Sequence, residues 1–162
     1  MTRSCLATIL CSAIGLIVMS GIALADIIAR YDCTPTVAAS QEPIGDRKDH
    51  DIVSFEYTCR GVEGLLKDGV LTAVVVSEWD DLKGTYLASV DTHRAPGGFA
   101  VGQLVEGTAS ILMDEGKAVG VEASGKTVFK FASGTLAAIA GRTAKFKTKP
   151  GGFGKFQLEF TD

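Results

Sequence analysis

From Ile52 onward the apolar residues of this chain recur at every second position, and a chain with that period has to build sheet. Val53, Phe55, Tyr57 and Cys59 share one face, while Ser54, Glu56, Thr58 and Arg60 take the other. Gly61 to Gly69 holds three glycines and reads as a turn region. Val70–Trp79 is a second strand, rich in β-branched residues, and Asp80-Asp81-Leu82-Lys83-Gly84 links it as a hairpin to Thr85–Arg94. Pro96-Gly97-Gly98 ends that strand. Phe99–Glu106 and Thr108–Met113 follow, then the turn Asp114-Glu115-Gly116-Lys117 leads into Ala118–Ala123. Thr127–Phe131, Thr143–Lys149 and Lys155–Phe160 complete the run, with a helical turn expected within Gly134–Ala140. A glycine followed closely by threonine recurs at Gly84, Gly107, Gly125, Gly134 and Gly141, and reads as strand entry after a turn.

The pattern predicts an all-β domain of eight or nine short antiparallel strands in a meander. A meander of that size has to manage its edges, and closing into an up-and-down barrel of about eight strands is the simplest way. The segments Gly84-Thr85-Tyr86-Leu87-Ala88, Gly107-Thr108-Ala109-Ser110-Ile111, Gly125-Lys126-Thr127-Val128-Phe129 and Gly141-Arg142-Thr143-Ala144-Lys145-Phe146 carry a likeness to known proteins. Over residues 52–161 the series resembles small secreted bacterial β-barrels of calycin or allene-oxide-cyclase-like shape. The resemblance implies the barrel fold and transfers no catalytic residue. The single tryptophan lies in Ser77-Glu78-Trp79-Asp80, away from a lipocalin Gly-x-Trp motif. An eight-stranded outer-membrane barrel is the rival architecture, but it needs aromatic girdles at both interfaces, and this chain has 12 aromatic residues.

Residues 1–25 read as a cleavable signal peptide: a cationic start at Thr2-Arg3, an apolar run from Leu6 to Met19, and a small-x-small site at Ala23-Leu24-Ala25. Cys5 to Ala25 is an uncharged stretch of 21 residues, but Ser20, Gly21 and the cleavage site occupy the place of a stop-transfer flank, so no integral membrane anchor is expected after cleavage. Leu10 before Cys11 argues against lipoprotein processing. The expected location is periplasmic or secreted. Cleavage would remove two of the four cysteines and leave Cys33 and Cys59, which in an oxidising compartment are expected to pair as a structural staple. The loop they close is worth roughly 3.5 kcal/mol in the chain-entropy picture. Residues 26–51 then form a lead-in with a short strand at Ile27–Cys33 and a long loop, tethered by the disulfide. Ile27, Ile28 and Val37 are the residues there that offer burial, and residues 52–162 form the barrel domain.

Loss of Arg3 with the leader leaves 15 basic against 19 acidic residues, an ordinary balance that gives no general attraction to nucleic acid. The distribution is less ordinary. Seven cations and no carboxylate lie between Ala123 and Leu158. Lys145, Lys147 and Lys149 alternate along one predicted strand, opposite Ala144, Phe146 and Thr148. Lys126 and Lys130 do the same opposite Thr127, Phe129 and Phe131. If the two strands are neighbours, these lysines form a stripe able to meet an anionic envelope component, although lysines also commonly line solvent faces of strands.

Candidate chemistry is sparse. Asp91 and His93 are two apart on a strand and so share a face, where an Asp-oriented His could serve as a general base; an ordinary polar pair near a strand end is the alternative. Asp46, Asp49, His50 and Asp51 could in principle surround a cation, but the spacing fits neither an EF-hand nor a zinc site, and a solvated loop is the expected reading, with no metal and no cofactor. The leading functional expectation is a non-enzymatic barrel that binds a small apolar or amphipathic ligand, or an envelope partner, with Trp79, Tyr86 and Phe99 as the aromatics to seek in an interior pocket. A small isomerase or cyclase using the Asp91–His93 face is one alternative, and a structural envelope protein with a filled interior that works through its surface is another.

Overall fold

The alternation from Ile52 becomes a continuous antiparallel ladder in the computed structural model, which describes residues 26–152 and 154–162. The proposed signal peptide lies outside the described residues. The strands are β1 (Ile27–Pro35), β2 (Ser40–Pro43), β3 (His50–Gly64), β4 (Val70–Asp80), β5 (Lys83–Ala95), β6 (Gly98–Asp114), β7 (Lys117–Gly134), β8 (Thr143–Pro150) and β9 (Phe156–Thr161). Each of β3 to β9 pairs with the next, β9 pairs with β1, and β1 pairs with β3. That last pairing closes an eight-stranded antiparallel barrel, and β2 hangs on the flank of β3 as a ninth strand. The barrel therefore takes in β1 as one of its staves. The helical turn is a short 3₁₀ segment, Ala137–Ile139.

Cys33 and Cys59 stand opposite each other on β1 and β3 and form a disulfide. The bridge fastens the seam at which the barrel closes. It lies inside, where both sulfurs' residues are buried. The loop expected after β1 contains β2, whose four residues are all exposed and are held to β3 by ladder hydrogen bonds and by Gln41 Nε2 donating to Asp51. Such a strand carries no hydrophobic signature to read.

Several strands run longer than their sequence pattern suggests, because β-bulges shift which residues face inward. β6 is one strand of 17 residues and β7 one of 18, where the alternation suggests two strands each. An extra residue at Val105 lets Leu104 and Gly107 both face the lumen while Val105 and Glu106 are exposed. Gly107 and Gly125, expected as strand starts, instead lie mid-strand and directly opposite each other. Val62, Leu87, Val105 and Val119 are all bulge residues, and all are exposed. The bulge at Lys130 has the same effect on Phe131: expected to share a face with Phe129, it is turned outward and is 67% exposed.

One end of the barrel is sealed. The β3–β4 turn inserts Leu66, and the β7–β8 connection inserts Leu136 and Ile139, onto a floor that includes Tyr31, Leu71, Ala100, Phe129 and Phe160. At the other end the β6–β7 hairpin turns at Glu115-Gly116, both with positive φ as a two-residue turn requires.

Candidate functional site

Above the sealed end the barrel is hollow, with a cavity of about 890 Å³ opening at the rim formed by the β4–β5, β6–β7 and β8–β9 connections. Its walls come from alternate residues of the staves, among them Val53, Phe55 and Tyr57 of β3, Val75, Ser77 and Trp79 of β4, and Phe156, Leu158 and Phe160 of β9. Asp91 is its deepest charged group. Among the described lining residues the other charged side chain is Lys155, at the mouth.

Three of the cavity's rings, Trp79, Tyr86 and Phe146, lie against glycines of the wall, while Phe55, Tyr57 and Phe156 pack on one another. Trp79 lies against Gly84, its cross-strand partner: a methyl group on Gly84 would come within 2.6 Å of the indole. Its Nε1–H donates to Ser77 Oγ at 2.9 Å, which fixes the ring. Tyr86 stacks on Phe146 with ring centroids 6.1 Å apart, and both lie against Gly107, where a Cβ would stand 2.8 Å from Tyr86 and 3.0 Å from Phe146. Phe146 also covers Gly125. Glycine on the facing strand lets each ring lie flat, and the space stays open.

Asp91 and His93 project inward from β5, and their side chains are hydrogen-bonded, His93 Nε2 to Asp91 Oδ1 at 2.6 Å. His93 is fully buried beneath Asp91, among Tyr31, Phe129 and Phe160. Its Nδ1 meets the Tyr31 hydroxyl at 2.7 Å. Burial, and then the nearby negative charge of Asp91, push the Tyr31 phenol well above its ordinary range, so it keeps its proton. Nε2–H donates to the carboxylate, and the Tyr31 hydroxyl shares a hydrogen bond with Nδ1 on the far side of the ring. Gly102 faces Asp91 across the β5–β6 ladder, and a Cβ there would come within 2.0 Å of Oδ1. The floor is thus a carboxylate held from below by a histidine–tyrosine chain and given room by a glycine.

Tyr57 and Tyr86 bring phenols to the cavity. Desolvation raises both, Tyr86 to about 12, and Tyr57 is raised further by the charges of Asp91 and Tyr86. Both stay protonated at neutral pH and can donate to a ligand.

Of the aromatics singled out from sequence, Trp79 and Tyr86 line the cavity and Phe99 does not. Ala100 takes the inward position, so Phe99 points out, where the Arg94 guanidinium sits 5.5 Å from its ring centroid. Tyr31, Tyr57 and Phe146 were not singled out; their signal is the same alternation, with Tyr31 between Ala29 and Cys33. Val37, expected to be buried, is exposed.

The two lysine-bearing strands are neighbours, with Lys126 directly opposite Lys145, and Lys126, Lys130, Lys145, Lys147 and Lys149 are all exposed on the outer wall. Lys126 is paired to Glu106 at 2.8 Å, Lys145 donates to the Asp162 carbonyl, and Lys147 stands opposite Glu159. At the rim, His50 is buried and held between Asp46 at 2.5 Å and Glu78 at 2.7 Å, while Asp49 and Asp51 point elsewhere, toward Lys48 and Gln41. No family model matches the chain, and neither a curated protein nor a solved structure matches it.

Proposed function

We propose that this protein is an exported carrier or sensor that holds a small, largely apolar ligand in the hollow half of its barrel without converting it. The observation that carries this reading is the cavity itself. An eight-stranded barrel is at the size where the interior is either just filled by side chains or holds one small ligand. At about 890 Å³, with mostly apolar walls and a few convergent polar groups, this one has the size and lining of a ligand site. A calycin-like kinship fits the same reading. The outward faces carry Arg30, Glu56, Arg60, Glu78, Lys145 and Lys147, all part-exposed or exposed, which suits a wall facing water and not acyl chains.

Trp79 is the chain's single tryptophan and lines the cavity, so its fluorescence reports occupancy directly. A neutral apolar probe, N-phenylnaphthylamine, is expected to bind saturably and to quench Trp79 by energy transfer. Ser89→Phe, which grows into the void, should abolish both while the circular dichroism spectrum stays unchanged. Binding that is absent in the wild type, or that survives Ser89→Phe, rules the reading out.

A second reading has one observation in its favour, the Asp91–His93–Tyr31 chain beneath the cavity. An isomerase or cyclase would use Asp91 as its base, because His93 is sealed below and both its ring nitrogens are engaged. Asp91→Asn would then abolish turnover of a bound substrate while leaving its affinity intact.

A further inference from the structure

Among the described residues the Asp91 carboxylate at the bottom of the cavity is held by His93 alone, and no lysine or arginine reaches it. Tyr31 and His93 meet at 2.7 Å and His93 Nε2 holds Asp91 Oδ1 at 2.6 Å, which leaves the second carboxylate oxygen, Oδ2, without a hydrogen-bond partner among the described residues. Lys155 is the cation among the described lining residues, and it sits at the mouth. A carboxylate in an apolar enclosure is costly unless it is paired as well as hydrogen-bonded. Tyr57 and Tyr86 can add hydrogen bonds from above but no charge. What would complete the site is a ligand head that both donates and is positive.

We infer that the floor selects a hydrophobic amine, a ligand whose apolar body fills the hollow half and whose ammonium group meets Asp91, with the phenol ring of Tyr57 beside it. The inference rests on the reading that the cavity holds a ligand, and gives that ligand its polar end. Three features point the same way. An ammonium replaces lost hydration with a charge-assisted hydrogen bond to the carboxylate. Aromatic rings along the wall favour a cation through their π faces. A fatty acid, by contrast, would set a second carboxylate against Asp91 and be repelled unless one of the two were protonated. Gly102 preserves the room this requires, since any side chain there would push the carboxylate out of position.

The test is a matched series, decylamine, decanol and decanoic acid, titrated against the full mature chain and read by Trp79 fluorescence and by calorimetry at neutral pH. Decylamine should bind about tenfold or more tightly than decanol, and decanoic acid more weakly than decanol. In Asp91→Asn, where the amide oxygen still accepts from His93 Nε2, the advantage of the amine should vanish while decanol binding stays within about twofold. The wild-type order decides the question even if the variant fails to fold. Decanol bound as tightly as the amine, or the acid bound most tightly, overturns the amine assignment and leaves the cavity reading standing. No binding by any member removes the cavity reading and the assignment together.

Discussion

The two halves of the barrel are made from the same staves, yet the lower is filled and the upper is hollow. In the lower half the turns reach inward with Leu66, Leu136 and Ile139, and the rings of Phe129 and Phe160 stand edge to face on His93, with Tyr31 tilted against it. In the upper half the rings are as large but lie against glycines on the next strand, Trp79 on Gly84 and the Tyr86–Phe146 stack on Gly107 and Gly125. The difference is therefore set by two things: whether turn residues reach into the lumen, and which strand positions lack a Cβ and so let a ring lie against the wall. Asp91 marks the boundary between the two.

The sharpest way to break this comparison is to remove one ring from each half. Phe129→Ala should cost about 3–5 kcal/mol, because a fully buried ring leaves a void that its packed surroundings cannot fill. Phe55→Ala, on the cavity wall and with ring contacts to Tyr57 and Phe156 among the described residues, should cost well under half as much, since its ring already borders empty space. Urea unfolding of the two variants measures both; equal losses would mean that the upper half is packed in solution.

Next in size is the seam. Reduction of Cys33–Cys59, or replacement of both by Ser, should lower stability by roughly 3.5 kcal/mol with the far-ultraviolet spectrum of the folded state unchanged. The bridge lies at the packed end, so ligand uptake in the upper half should persist below the unfolding transition. Loss of binding at denaturant concentrations where the fold survives would show that the hollow half depends on the seam as well.

A pair of glycine substitutions sharpens the comparison at finer scale. Gly102→Ala forces its methyl into the Asp91 carboxylate, which His93 holds in place, and should cost about 1–3 kcal/mol. Gly107→Ala meets the edges of Tyr86 and Phe146 and, less closely, the Leu104 side chain, and the two rings can swing into the lumen. Its expected effect is a smaller cavity and weaker probe binding, with a stability change smaller than that of Gly102→Ala. Titration of N-phenylnaphthylamine beside urea unfolding separates the two outcomes.

Much of this fold was legible in the sequence because period-two alternation survives wherever strands run without bulges, as in β3 ahead of Val62, in β4 and in β8. It fails at the bulges. Leu104, Val105, Glu106 and Gly107 cannot be assigned to faces by counting, and Phe131 is placed wrongly for the same reason. The pairing of Asp91 with His93 follows from their spacing alone. Tyr31 beneath them does not, because it comes from a strand 62 residues away whose barrel partners no local pattern reveals. Nor is the void legible: glycines opposite aromatics read as turns until the register is known. One consequence is that His93→Ala, harmless if the residue were an exposed strand-end polar group, should instead destabilise the packed half.

The rim offers the smallest effect and the clearest contrast in kind, since charge and not packing organises it. His50 is drawn upward from its ordinary value by its hydrogen bond to Asp46 first and to Glu78 next. Asp46 is held below the usual carboxylate range, chiefly by that same hydrogen bond. The two shifts act on opposite sides of neutrality. A raised histidine contributes stability that is complete below its unfolded value near 6.5 and fades as pH rises through the raised folded value. A depressed carboxylate contributes stability that is present above its unfolded value and is lost as pH falls through the depressed one. The rim should thus be held best in mildly acidic solution, between the carboxylate and histidine ranges. His50→Gln should flatten the alkaline limb of a stability–pH profile and leave the buried floor untouched, so that Trp79 still reports probe binding. High salt should imitate part of the change, because Asp46 and Glu78 are solvent-exposed. An unaltered alkaline limb in His50→Gln would assign the pH dependence elsewhere and leave the rim held by its backbone ladder.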